Sequence, residues 1–462
     1  MYDDQSFRDH IGTITEEGKR KYVHPKKVTG RFTTYRRRVA WFLLALLFGL
    51  PWLRWQGLPL IQLDVVHRRF VLFGQVFWPQ DFYLLMLTML LGVLAVVVFT
   101  VAYGRIFCGW ICPQTIFMEH VFRRIEYWID GDRNAQIKLR NSPWTAEKIR
   151  KRVAKNSLFL AISFGISNTF LMYFINTDGW WAIVTDGPAA HPGGFAGIWI
   201  FTGVFFFVFS WFREQVCLIV CPYGRLQGVL LDRNSIVIAY DRIRGEIRSR
   251  FTKREDRAAA GKGDCIDCEL CVAVCPTGID IRNGTQLECT NCTACIDACD
   301  GVMERLQKPK GLIRYASETQ IVERKSFAFT PRLKAYSVIL AALFTLWSSL
   351  LLFRSPVEAT ILRAPNQLFQ ERDTAVTNLY TYKLFNKRPD SVVVSLALRE
   401  PKGAWLEFVQ GETWMLEPQG RTTGAFFVAL PLPVGPETEI VVDVLLDGEV
   451  ADVVKTSFFG PH

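Results

Sequence analysis

The chain has 462 residues, 50% of them hydrophobic and 21% charged, with a mean hydropathy of +0.15 and a net charge of +10. At roughly 150 residues per domain this length predicts about three units. Most of the Lys and Arg lie beside apolar segments, the signature of membrane topology, and this excludes a nucleic-acid role read from charge alone.

The first 38 residues are polar and basic, and no apolar core begins before Val39. A cleavable secretory signal is therefore not expected, and residues 1–38 are read as a basic cytoplasmic tail facing anionic lipid. Five apolar stretches then approach or reach the length of about 20 residues that a helix needs to cross a hydrocarbon core. They are Val39–Leu53, Phe82–Tyr103, Ser157–Ile175, Phe195–Phe212 and Ala335–Phe353. The first is short and contains Pro51, and rests partly on Trp41, Trp52 and Trp55 as interface anchors. Loop 54–80 is expected to form a short hairpin around Asp64–Arg69, before Pro79, Gln80 and Asp81.

The orientation follows from Lys and Arg near the span ends. Residues 1–38 hold ten, loop 54–80 three, segment 104–156 eleven, loop 176–194 none and segment 213–334 twenty. The alternation predicts a multi-pass protein of the bacterial inner membrane with its N-terminus in the cytoplasm and its C-terminal domain in the periplasm. All twelve cysteines then fall on the cytoplasmic side, where disulfides are disfavoured.

The second span ends in Cys108-Gly-Trp-Ile-Cys112-Pro113 and the fourth in Cys217-Leu-Ile-Val-Cys221-Pro222. Arg105 precedes the first pair, and Arg213 and Glu214 precede the second. On a helix, residues i and i+4 share a face with Cβ atoms about 5–6 Å apart. That is longer than the about 3.5–4.5 Å of a disulfide but within reach of a shared metal. Pro113 and Pro222 are expected to stop each helix after the second sulfur. The pairs make either one four-thiolate site or two two-thiolate sites, and soft thiolates suit Cu(I), an iron–sulfur centre or zinc. A Cys in an apolar helix can also be a small hydrophobe, but the repeated spacing and proline favour function. Met118 and His120 are candidate further copper ligands, though packing and surface roles are commoner for such residues. His67 and His191, in the outer loops, are weaker candidates. Segment 121–156 is basic and includes an amphipathic surface helix.

Residues 265–299 read C-x2-C-x2-C-x3-C-P, twelve residues, then C-x2-C-x2-C-x3-C. This is the spacing of a bacterial two-cluster ferredoxin, in which the fourth Cys of each run ligates the other run's cluster. One [4Fe–4S] cluster is assigned Cys265, Cys268, Cys271 and Cys299, the other Cys289, Cys292, Cys295 and Cys275. Structural zinc uses separated groups of four Cys/His, not this doubled run. Pro276 follows the first run, whereas Asp300 stands in its place after the second. Residues 354–462 change character. Ser391–Leu398 reads as a strand, and Ile440–Leu446 and Glu449–Phe459 flank Asp447-Gly448, a two-residue hairpin signal. Short strands over about 108 residues suggest an immunoglobulin-like antiparallel β-sandwich. It holds no Cys and only two candidate ligands, Met415 and His462.

The fold class expected is thus a multi-domain membrane protein, with an α-helical bundle of five spans, an inserted 2[4Fe–4S] ferredoxin-like domain and a C-terminal immunoglobulin-like β-sandwich. The domains are 1–38, the tail; 39–222, four spans with both C-x3-C-P motifs; 223–334, the ferredoxin domain; 335–353, the fifth span; and 354–462, the sandwich. This order of parts, Cys108–Pro113, Cys217–Pro222, the doubled run to Cys299-Asp300 and the sandwich, resembles the cytochrome c oxidase accessory family FixG/RdxA (also CcoG). The membrane half is also similar to NapH-type quinol dehydrogenases, from which the sandwich separates it. The resemblance implies a cupric reductase that makes Cu(I) for assembly of the cbb-type haem–copper oxidase, with Cys108, Cys112, Cys217 and Cys221 in that chemistry. It implies membrane lipid, copper ions, an unnamed cytoplasmic electron donor and the oxidase assembly machinery as partners, leaves a homodimer open and gives no place to nucleic acid. The alternatives are a quinol-linked electron-transfer subunit and a non-catalytic oxidase assembly factor.

Overall fold

The computed structural model describes residues 13–461 apart from 15, 16, 18, 67, 79, 80, 253–255, 258, 366–368, 373, 389 and 410. Residues 1–12, His67, Pro79, Gln80 and His462 therefore lie outside the described residues. The chain divides into two compact units. One takes 61–70 and 79–345 with the N-terminal residues to Leu53, so the helices and the ferredoxin-like segment, expected as separate domains, pack as one unit. The other takes 346–462 with two pieces of the loop, 54–60 and 71–78.

Four helices among the described residues are long and apolar enough to cross a membrane: Phe82–Tyr103, Ala146–Ala190, Pro192–Phe212 and Pro331–Leu352. In the last, no residue of the apolar window is buried in the protein, so its surface needs a hydrocarbon environment. The chain is a membrane protein. The first expected span differs. Its helix is Arg31–Gly49, followed by a tight turn at Leu50–Trp52, and its first two turns carry Arg31, Arg36, Arg37 and Arg38, which confine its apolar part to residues 39–49. Loop 176–194 also differs. The third helix breaks at Asn176, which has φ 60°, but the Asn176 side chain accepts from the Gly179 N–H at 2.8 Å and so caps a new helical segment. Most of that loop is thus helical, up to a second break at Gly187. In the 54–80 loop, strands Ile61–Asp64 and Arg69–Leu72 stand on either side of a turn at Val65–Arg68, where the sequence predicts a hairpin. The amphipathic surface helix is Arg133–Asn141, capped by Asp132.

The ferredoxin-like segment folds on a two-stranded antiparallel sheet, Val237–Tyr240 with Ile313–Ala316. Its core joins Ile238, Tyr240, Ile281, Val302, Met303 and Leu312 to the cysteine runs. Ser235 Oγ donates to the Val101 carbonyl at 2.7 Å and Ile236 N to that of Ala102 at 3.0 Å, which fastens this sheet to the end of the second helix.

Among the described residues from 357 to 459, the second unit forms two antiparallel sheets, one of five strands and one of four. One core is drawn from both, with Tyr380, Tyr382, Phe426 and Val428 from the first and Val394, Ile440, Val442 and Phe458 from the second. Strands Glu437–Leu446 and Glu449–Phe459 pair through a turn in which Asp447 (φ 50°) and Gly448 (φ 91°) are both left-handed, as the hairpin signal requires.

Candidate redox site

The two cysteine runs fold as a local repeat. In the first, Asp267 (φ 50°) and Glu269 (φ 54°) flank Cys268; in the second, Asn291 (φ 54°) and Thr293 (φ 64°) flank Cys292. Each left-handed non-glycine residue costs about 1–2 kcal/mol, so the repetition marks a shape the chain is held to. Helices Leu270–Ala273 and Ala294–Arg305 follow at equivalent points and carry the third cysteine of each run. The result is two cavities. One is lined by Cys265, Cys268, Cys271 and Cys299, with Leu270, Val302 and Met303. The other is lined by Cys275, Cys289, Cys292 and Cys295, with Ile238 and Ile281, and borders Cys271. The fourth cysteine of each run thus lies with the other run. Burial, with the neighbouring Cys271, Cys265 and Cys268 adding to it, raises the Cys299 thiol to about 12. Cys295 is raised by burial and then by Cys292, Cys289 and Cys275. All twelve cysteines are free. Four soft donors around each apolar cavity fit an iron–sulfur cluster, which takes thiolate ligands and is tuned by a low-dielectric shell.

The C-x3-C-P motifs repeat at the level of the backbone. Each preceding helix ends at a residue of positive φ, Gly104 (58°) in the first and Arg213 (52°) in the second. In both, the first cysteine N–H donates three residues back, Cys108 to Arg105 and Cys217 to Glu214, each at 3.1 Å. In both, the second donates five residues back, Cys112 to Phe107 at 2.9 Å and Cys221 to Val216 at 2.8 Å. A wide turn thus closes each pair in place of the regular α-helical turn that the i, i+4 spacing predicts. Each helix does end at its proline, as expected: Cys112 and Cys221 are extended, and Pro113 and Pro222 then open the next helices at N1, where a missing N–H costs nothing.

The two pairs come together. Burial, with Cys112, Cys108 and Cys221 adding to it, raises the Cys217 thiol to about 12. Cys108 is raised to about 11 by burial, with Cys112 and Cys221 adding to the effect against Arg105. Among the described residues, however, no three His, Cys, Asp or Glu side chains are drawn together as tightly as one metal ion requires. Cys108 Sγ lies 3.2 Å from Gln227 Oε1, which also accepts from Arg105 Nε at 2.8 Å. Met118 packs in the helical core with Ala40, Leu44 and Phe117. His120 is lowered to about 3 by burial and by Arg36, Arg124 and Arg37. His191 is exposed and lies 3.1 Å from Asp186 Oδ2.

The first C-x3-C loop rests on the second cysteine run. A Cβ on Gly109 would stand 2.6 Å from the carbonyl oxygens of both Thr290 and Asn291, so only glycine allows this approach. Arg36 donates from Nε to the Gly109 carbonyl at 2.9 Å and from Nη1 to that of Cys292 at 2.8 Å. Arg105 Nη1 reaches the carbonyls of Leu287 and Cys289. Asp297, between Cys295 and Cys299, accepts from the N–H groups of Phe32 (3.1 Å) and Thr33 (2.6 Å), and so caps the helix that carries Arg36.

A buried ion-pair network ties the two motifs to each other. Arg213 holds Glu126 through two bonds of 2.6 and 2.8 Å, and Arg123 pairs with Glu214 at 3.1 Å. Burial would raise Glu126, but Arg213, Lys155 and Arg123 hold it down to about 2. The sequence marked Arg105, Arg213 and Glu214 only as flanking charges; the partners Gln227, Glu126 and Arg123 carry no motif of their own.

Three family models match the chain: a 4Fe-4S binding domain over residues 85–135, a 4Fe-4S dicluster domain over 212–318 and an IG-like fold at the C-terminus of FixG over 347–461. The nitrogen fixation protein FixG of Rhizobium meliloti is 34% identical over 89% of this chain and 87% of its own. Protein RdxA of Cereibacter sphaeroides is 34% identical over 95% of this chain and 97% of its own. Protein RdxB of the same organism is 35% identical over 81% of each. With iron–sulfur domains, an immunoglobulin-like tail and this likeness over nearly its whole length, the chain belongs to the FixG/RdxA family of membrane iron–sulfur proteins.

Proposed function

We propose that the chain is a cupric reductase, in which Cys108, Cys112, Cys217 and Cys221 take Cu(II) and release or pass on Cu(I). The observation that carries this reading is the nearness of four thiols from two repeated motifs, Cys108 buried and Cys112, Cys217 and Cys221 half-buried, beside the loop of Cys289, Cys292 and Cys295. Bound in the two cysteine-lined cavities, [4Fe–4S] clusters supply one-electron carriers, with ligands Cys265, Cys268, Cys271 and Cys299 for one and Cys275, Cys289, Cys292 and Cys295 for the other. Copper is the substrate: each Cu(II) takes one electron and becomes Cu(I), the ion that soft sulfur holds best. The wide spacing of the four thiols suits an ion taken by two sulfurs at a time. The backbone near Gly109 and Arg36 keeps the thiols against the second cysteine run. In this reading the N-terminus and all cysteines face the cytoplasm, residues 39–53 form a fifth span, the C-terminal immunoglobulin-like domain lies in the periplasm, and the Cu(I) serves cbb-type oxidase assembly.

The test is anaerobic reduction of Cu(II) by full-length protein supplied with dithionite, read with a Cu(I) chelator. Replacing Cys108, Cys112, Cys217 and Cys221 by Ala is expected to reduce the protein-dependent rate at least tenfold while the iron content holds. Wild-type rates in that variant would remove copper from the account.

A further inference from the structure

A cavity of about 240 Å³ lies between the N-terminal segment, the start of helix Ala146–Ala190 and the end of helix Pro192–Phe212. Its charges are largely matched. Lys155 Nζ stands 2.5 Å from Asp130 Oδ2, and Arg213 holds Glu126. Two acceptors are left. Asp130 Oδ1 and His24 Nε2 are both buried without a hydrogen-bond partner, and both residues line the cavity.

The state of His24 follows from its neighbour. Gln136 donates its amide nitrogen to the Gly131 carbonyl at 2.8 Å, so its Oε1 is the atom that faces His24 Nδ1 at 3.1 Å. Nδ1 must then carry the hydrogen, and Nε2 presents a bare lone pair. Burial, the largest influence on the ring, favours the same neutral form. Two bare acceptors call for a ligand with O–H donors.

The position narrows the ligand further. Phe159 and Ser210 line the cavity near the ends of two membrane-spanning helices, a level that the head of a lipid-soluble molecule reaches. About 150 Å³ is enough for a benzene ring, so one substituted ring fits. On the other side, Lys26 N donates to the carbonyl of Ala273, between Cys271 and Cys275, at 2.8 Å. His24 is therefore two residues from a strand of chain bonded to the cluster-ligand turn.

We propose that this cavity binds the dihydroxy ring of a membrane quinol, its hydroxyls donating to Asp130 Oδ1 and His24 Nε2. This rests on the electron-delivery role above and names the class of its donor. Oxidation breaks two O–H bonds and yields a quinone, two protons and two electrons. The protons go to the Asp130 carboxylate and His24 Nε2, and the electrons go singly to the two [4Fe–4S] acceptors of the chain. Arg140 and Arg152 line the same cavity and favour the oxygen that has lost its proton.

The experiment uses full-length protein in lipid nanodiscs. Decylubiquinol binding to pre-reduced protein is measured calorimetrically under anaerobic conditions, and cluster reduction by duroquinol is followed by visible bleaching. One saturable site is expected in the wild type. His24→Leu and Asp130→Asn should each weaken it at least tenfold, and Ser210→Phe, which fills the cavity and spares both acceptors, should abolish it. Iron content and the visible spectrum check folding, and if Asp130→Asn fails that check the other two variants decide. Absence of a saturable site in the wild type, equal affinity in the variants, or displacement of the quinol by inorganic phosphate would each overturn the proposal. Dithionite-driven Cu(II) reduction by the wild type needs no quinol, so failure there would strike the copper reading and leave this site standing.

Discussion

Arg36 donates to the carbonyl of Cys292 at 2.8 Å while its Nε holds the carbonyl of Gly109, so one guanidinium spans the C-x3-C loop and the second cysteine run. Both acceptors are backbone, and the side chain is buried. Arg36→Leu is expected to cost about 2–4 kcal/mol, as two charged hydrogen bonds are lost and two carbonyls are left buried. It should also slow Cu(II) reduction, since nothing else on helix Arg31–Gly49 bridges these two loops among the described residues. Thermal unfolding and the chelator assay, run on the same preparation, measure both.

Gly109 offers a steric version of the same test. Gly109→Ala puts a methyl against two backbone carbonyls that cannot rotate away, at an expected cost of about 1–3 kcal/mol. The loop should lift and the copper rate fall. Gly301 is the control: it sits in helix Ala294–Arg305 with nothing within 4 Å of an added Cβ, and Gly301→Ala should stabilise by up to about 1 kcal/mol.

The exchange of fourth cysteines can be read from cluster content. Cys299 lies with Cys265, Cys268 and Cys271, although it ends the other run. Cys299→Ala should therefore disturb the cluster of the first run, and iron should fall from about eight to about four per chain. EPR of the remaining cluster should match that of Cys265→Ala and differ from that of Cys275→Ala.

Much of this was legible in the sequence, for reasons of range. The ferredoxin spacing is a local rule, and both cavities are lined as it requires. Asp447-Gly448 is a local rule too, and its turn is left-handed at both residues. Arg36 was misread, because a count of Lys and Arg at a span edge treats it as a topological charge, whereas it is buried between carbonyls. The wide turn that closes each C-x3-C pair left no signal because apolar residues continue across Cys108–Cys112. Asn176 looked like the start of a loop but caps a helix. Pairings such as Glu126 with Arg213, 87 residues apart, leave no trace in one sequence.

Glu126 makes a pH prediction. Its folded value, about 2, lies below the ordinary 4.5, so its ionised form stabilises the fold above pH 4.5. That contribution should fade as pH drops from 4.5 towards 2. Glu126→Gln should cost about 3–5 kcal/mol at pH 7, because Arg213 would be left buried without its partner. The gap between variant and wild type, measured by circular dichroism in detergent, should narrow across that acid window.

The most direct measurement is EPR of anaerobic, pre-reduced protein before and after one equivalent of Cu(II), in the wild type and in the Cys108→Ala/Cys217→Ala variant. In the wild type the reduced-cluster signal should fall and no Cu(II) signal should appear. The variant should keep its cluster signal and show Cu(II). Equal loss of the cluster signal in both proteins would contradict a role for these thiols.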